Sequence, residues 1–123
     1  MELLKQVPTL ELCQQLKAAG YPQEDSWFVW LFDHAFHPAQ WVALEKRFLT
    51  EQERANLSGW RAAPTVAELG EALPDQHASV RIQGKWYGEG PQEGQIHCGN
   101  HESTEANVRA LVWLNRNGRI APK

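Results

Sequence analysis

A chain of 123 residues is long enough to close one hydrophobic core without disulfide or metal staples. Hydrophobic residues at 42% and charged residues at 22% exclude a disordered chain, and a net charge of −3 excludes a general attraction to DNA or acidic membranes. Cys13 and Cys98 are too few for a secreted disulfide framework, so a reducing, cytoplasmic setting is expected.

The opening stretch MELLKQVPTLEL carries Glu2 and Lys5 and lacks the apolar run of a signal peptide. The longest fully apolar run, Trp27 to Phe32, is far short of a membrane span, so no membrane partner is expected.

The first helix is well punctuated. Thr9 caps it, Leu12, Cys13, Leu16 and Ala19 share a face, and Gly20 ends it ahead of Pro22. On that face Cys13 is a small core residue. The aromatic and β-branched stretch from Trp27 to Phe32 predicts a strand, with Ala35 to Ala39 turning the chain and Trp41 to Leu44 returning. A buried helix broken before Pro38 is the alternative.

Thr50 with Glu53, and Thr65 with Glu68, are capping boxes. The first opens a short polar helix ending near Gly59. The second opens a helix with Val66, Leu69 and Leu73 on one face and Pro74 as its stop. Gly70 inside it costs about 1 kcal/mol relative to Ala, which points to close packing there.

ASVRIQGKWYG alternates like a strand, with Val80, Ile82 and Trp86 facing one way and Arg81, Lys85 and Tyr87 the other; Gly84 marks a bulge or tight bend. A loop and a short return strand, Gln95 to Cys98, follow. The last helix starts after Ser103, ends at Gly118 and is apolar around most of its circumference, so it needs neighbours on more than one side. Together these elements predict one α+β domain over residues 1–123: a small antiparallel sheet, helices mainly on one face, and a central C-terminal helix.

Three blocks, PTLELCQQLKAAGYPQED, APTVAELGEALP and TEANVRALVWLNRNGRI, in that order, resemble a group of short bacterial proteins, many of them carried by phages or prophages. The resemblance implies a helix, strand, helix, strand, helix layout and supplies no catalytic or binding residues. Phe32 to Arg61 depart from the pattern, and Asn107 and Arg109 stand where small or acidic residues are expected.

QIHCGNHES, residues 95–103, concentrates His97, Cys98 and His101. In a strand His97 and Cys98 point to opposite faces, so one metal does not readily take both. Structural zinc usually needs four ligands with paired spacing, which is missing; His34 and His37, in a second cluster, are the histidines that a composite zinc site would recruit. The simpler reading is a core thiol, a Gly99-Asn100 turn and a solvated histidine. YGEGPQEG fails as a phosphate loop, because a strand follows it and Glu89 and Glu93 repel phosphate. Arg81, Lys85 and Tyr87 on one face form a minimal platform for single-stranded RNA, against the acidic balance of the chain.

The aromatic load is the strongest functional signal. Six tryptophans occur in this short chain, and Trp is enriched where proteins bind proteins. Four are expected in the core. Trp27, Trp30, Trp41 and Trp113 are the candidates for a surface that binds a protein partner or a second copy. The expected role is a non-catalytic interaction protein without a cofactor, and a His97/His101-centred metal site is the enzyme-class alternative.

Overall fold

The computed structural model describes residues 3–33, 38–73, 78–90 and 94–117. Helices α1 (Leu3–Gln6) and α2 (Leu10–Ala18) lead into strand β1 (Phe28–Asp33) and its return, β2 (Gln40–Glu45). The hairpin reading of this stretch holds, because β-branched and aromatic residues alternate between two covered faces. Thr9 caps α2, its hydroxyl accepting the Leu12 N–H, and Gly20 takes the φ of +94° that ends it.

An excursion over residues 46–59 follows, with a 3₁₀ turn (Lys46–Phe48), helix α3 (Glu51–Ala55) and a second 3₁₀ turn (Leu57–Gly59). Both capping boxes form: Thr50 and Glu53 open α3, and Thr65 and Glu68 open α4 (Val66–Ala72). Between them lies a strand not foreseen from the sequence, β3 (Trp60–Ala63). It is only four residues long, too short for alternation to show.

The fold holds two antiparallel sheets where one was expected. The first has the order β2-β1-β3, and the second is built from β4 (Ala78–Ile82), β5 (Lys85–Gly90) and β6 (Gly94–His97) in the order β4-β5-β6. The expected continuous strand over residues 78–88 is a hairpin. Gln83 and Gly84 both adopt positive φ, at 51° and 79°, the signature of a two-residue turn that matches strand twist.

Helix α5 (Glu105–Asn117) lies at the centre, against all three strands of the second sheet and against α1, α2 and α4. These contacts satisfy its all-round apolar surface internally. Leu12, Leu16, Tyr21, Leu69, Ala110, Val112 and Trp113 form the main core. A second core covers one face of the first sheet, where Val29, Leu31 and Trp60 meet Leu49 of the excursion. On the other face Phe28, Trp30 and Ala63 pack against Val7 and Cys13. No helix of the described residues is long and apolar enough to cross a membrane.

Candidate interaction surface and cleft

QIHCGNHES is a strand end, a turn and a helix start. His97 closes β6 opposite Tyr87, exposed on the face of the second sheet turned away from α5. Its Nδ1 accepts the Gly99 N–H at 2.8 Å, and the His101 N–H donates to the Cys98 carbonyl at 3.0 Å. Gly99 supplies the φ of +61° that this turn requires. Thr104 then caps α5, its hydroxyl accepting the Asn107 N–H at 3.1 Å.

Cys98 turns inward, its thiol set between the Trp86 and Thr104 carbonyls, 3.8 Å from each. Burial pushes that thiol up, against the opposing pull of hydrogen bonds with Thr104 and Ser103. Cys13 is pushed up to about 12, chiefly by burial. Burial thus disfavours the thiolate form of both cysteines. Among the described residues no group of three or more His, Cys, Asp or Glu is placed to hold a metal. His34 and His37 lie outside the described residues.

The hairpin turn splits the Arg81, Lys85 and Tyr87 stripe. Directly paired residues share a face, and the register pairs Arg81 with Trp86 but Ile82 with Lys85 and Val80 with Tyr87. Arg81 therefore sits on the α5 side with Trp86, while Lys85 and Tyr87 face outward with His97. A two-residue turn reverses the parity that a continuous strand would keep.

The four candidate tryptophans part company too. Trp113 belongs to the core, edge-on to Tyr21 with ring centroids 5.1 Å apart. Trp30 is half-buried, and its indole N–H donates to the Pro8 carbonyl at 3.1 Å. Trp41 is half-buried between Phe32, 5.4 Å away, and the Arg61 guanidinium, 5.3 Å above its ring. Only Trp27 of the four is open, 70% exposed.

Three further large apolar side chains are exposed, Phe48 at 60%, Leu57 at 65% and, on the second sheet, Ile82 at 49%; the Trp27 indole itself lies against Thr65, Ala67, Glu68 and Glu71. Lys46 touches the backbone of Trp27 and the cleft that Leu57 lines. Its backbone N–H donates to the Trp27 carbonyl at 2.8 Å, Phe48 follows two residues later, and Leu57 shares a cleft with its side chain. That cleft, about 560 Å³, lies between the end of α2 with its following loop and the 46–59 excursion. Lys17, Lys46, Arg54, Leu57, Pro22 and Trp60 form most of its wall. The Lys46 ammonium rests 5.2 Å over the Trp60 ring, and the Trp60 indole N–H donates to the Arg54 carbonyl at 3.2 Å.

Sequence reasoning missed Phe48, Leu57 and all three cations. Phe48 and Leu57 are single apolar residues among charges, which is ordinary for surface segments. Residues 17, 46 and 54 share no periodicity, and only the folded excursion brings them together.

No family model matches the chain, and no curated protein or solved structure matches it either.

Proposed function

We propose that this protein is a non-catalytic interaction protein that self-associates through its exposed apolar side chains, Trp27 foremost, with Phe48 and Leu57. The observation that carries the reading is the 70% exposure of the Trp27 indole. An unburied tryptophan leaves in water the large apolar area that makes Trp a frequent anchor of interfaces. Phe48 and Leu57 add further exposed apolar area, and the Arg47–Glu45 pair at 3.2 Å supplies a polar border to Phe48.

Sedimentation velocity of untagged protein over a wide concentration range tests it. A concentration-dependent dimer is expected, with Trp27→Ser weakening it by about tenfold or more. Because Trp27 is exposed, the same change should leave the unfolding midpoint of the monomer almost unmoved. A wild-type chain that stays monomeric at its highest soluble concentration overturns the proposal.

A further inference from the structure

We infer that the cleft between the end of α2 and the 46–59 excursion binds a compact organic oxyanion carrying two or more negative charges. The first ground is unneutralised charge. Lys17 comes from α2, Lys46 from the first 3₁₀ turn and Arg54 from α3, and all three border the one cleft. Among the described residues none of them forms an ion pair. The Glu24 and Asp25 carboxylates stand on the exposed lip of the cleft without reaching the cations.

The second ground is that the cations are held in place. The Lys17 ammonium donates to the Leu57 carbonyl and, at 3.3 Å, to the Trp60 carbonyl. Lys46 donates to the Glu24 carbonyl and, at 3.4 Å, to the Gln23 carbonyl. The Arg54 guanidinium donates to the Lys46 carbonyl at 3.3 Å. Carbonyls orient an ammonium but cancel none of its charge. Each ammonium has three donors and the guanidinium five, so donors remain for a ligand. Burial, and next the charge of Arg61, hold Lys17 below the usual lysine range.

The third ground is shape. A volume near 560 Å³ falls within the range of small-ligand sites. The Trp60 ring already lies under Lys46 and is only 4% exposed, so it offers no free face for a stacked base. Leu57 and Pro22 accommodate a short aliphatic body instead. That combination selects a di- or tricarboxylate or a small phosphorylated compound over a nucleotide. The inference does not rest on self-association, although Leu57 belongs both to the cleft and to that exposed apolar surface.

The Trp60 indole N–H, bonded to the Arg54 carbonyl, is a local reporter in two-dimensional ¹H–¹⁵N spectra. Citrate and inorganic pyrophosphate are titrated separately into the intact protein at constant ionic strength. At least one should move the Trp60 signal along a saturable curve. Arg54→Gln, at an exposed position, should weaken that binding about tenfold, while Lys85→Gln on the second sheet should leave it unchanged. Citrate alone marks carboxylate recognition, and pyrophosphate alone marks phosphate recognition. Shifts that never saturate, that sodium chloride reproduces, or that persist unchanged in both Arg54→Gln and Lys46→Gln overturn the inference.

Discussion

The backbone N–H of Thr9 donates to Asn107 Oδ1 at 3.1 Å, joining the cap of α2 to the first turn of α5 across 98 residues of sequence. Asn107 is 1% exposed, and its Nδ2 donates to the Glu102 carbonyl at 2.7 Å. One amide side chain thus satisfies two backbone groups beside the core. Asn107→Ala should destabilise the fold by about 2–4 kcal/mol in urea titrations, since it strands both partners. Asn107→Asp keeps the acceptor, loses the donor and buries a charge. Burial raises that carboxyl, so its stability should recover as pH falls and the acid protonates, and fade as pH rises. An Asn107→Asp protein whose stability ignores pH in the acid range would show that the side chain is not buried against Glu102.

Gly88, buried in the central strand β5, faces Val108 and Val112 of α5 at close range. A Cβ there would lie 2.5 Å from Val112 Cγ2 and 3.2 Å from Val108 Cγ2. Helical valines are nearly fixed at χ1, so they do not turn away. Gly88→Ala should cost about 1–3 kcal/mol by overpacking. The cost should shrink in a Val112→Ala background, where the nearest methyl is gone. Additive losses in the double variant would mean that the strand and helix are not in this contact.

These two sites show what the sequence disclosed and what it withheld. Helix caps were legible because Thr9, Thr50 and Thr65 act on backbone a few residues away. The β1–β2 hairpin was legible because β-branched and aromatic residues alternate over six-residue strands. The split into two sheets was not, because β3 is short and Gln83-Gly84 resembles a bulge until its φ values are seen. Asn107 reads as an interruption of an apolar helix, since its partners at Thr9 and Glu102 emerge only in three dimensions. Of the exposed apolar side chains, Trp27 was legible as a tryptophan at a strand start. Phe48 and Leu57 gained meaning only when the excursion folded back beside Lys46.

Arg109 links three elements, and its effect on Gly70 can be read by a change of sign. Its Nε donates to Ser79 Oγ at 2.9 Å, one terminal nitrogen to the Val66 carbonyl at 2.7 Å, and the other pairs with Glu105 at 2.8 Å. A Cβ at Gly70 would stand 2.5 Å from the first terminal nitrogen. With the guanidinium anchored, Gly70→Ala should lower stability despite its better helix propensity. In an Arg109→Met background the obstruction is gone, and the same change should stabilise by about 0.5–1 kcal/mol. Thermal and urea unfolding of the four proteins in this cycle give the coupling directly. Equal effects of Gly70→Ala in both backgrounds would detach Gly70 from Arg109.

Alkaline pH should loosen the packing of α2 against the first sheet. Burial pushes Cys13 from 9.0 up to about 12, and Tyr21 from 10.0 up to about 12, with the Glu68 charge adding to the latter. Both groups are neutral in the fold and ionise more easily once unfolded. Between pH 9 and pH 12 the unfolded chain therefore binds fewer protons than the native one, and stability falls as pH rises. Below pH 9 the contribution is complete. Lys17, held below its usual range, opposes this trend, but it is only partly buried and does not reverse it. At pH 11, two units above its ordinary value, the Cys13 thiol accounts for a loss of about 3 kcal/mol. Cys13→Ala starts from lower stability at neutral pH because it opens a small cavity, yet its urea midpoint should decline less steeply above pH 9. The two curves should converge toward pH 11. Parallel curves would mean that the Cys13 thiol titrates alike in both states, and hence that α2 does not bury it as tightly as the Pro8, Trp30 and Ala63 contacts imply.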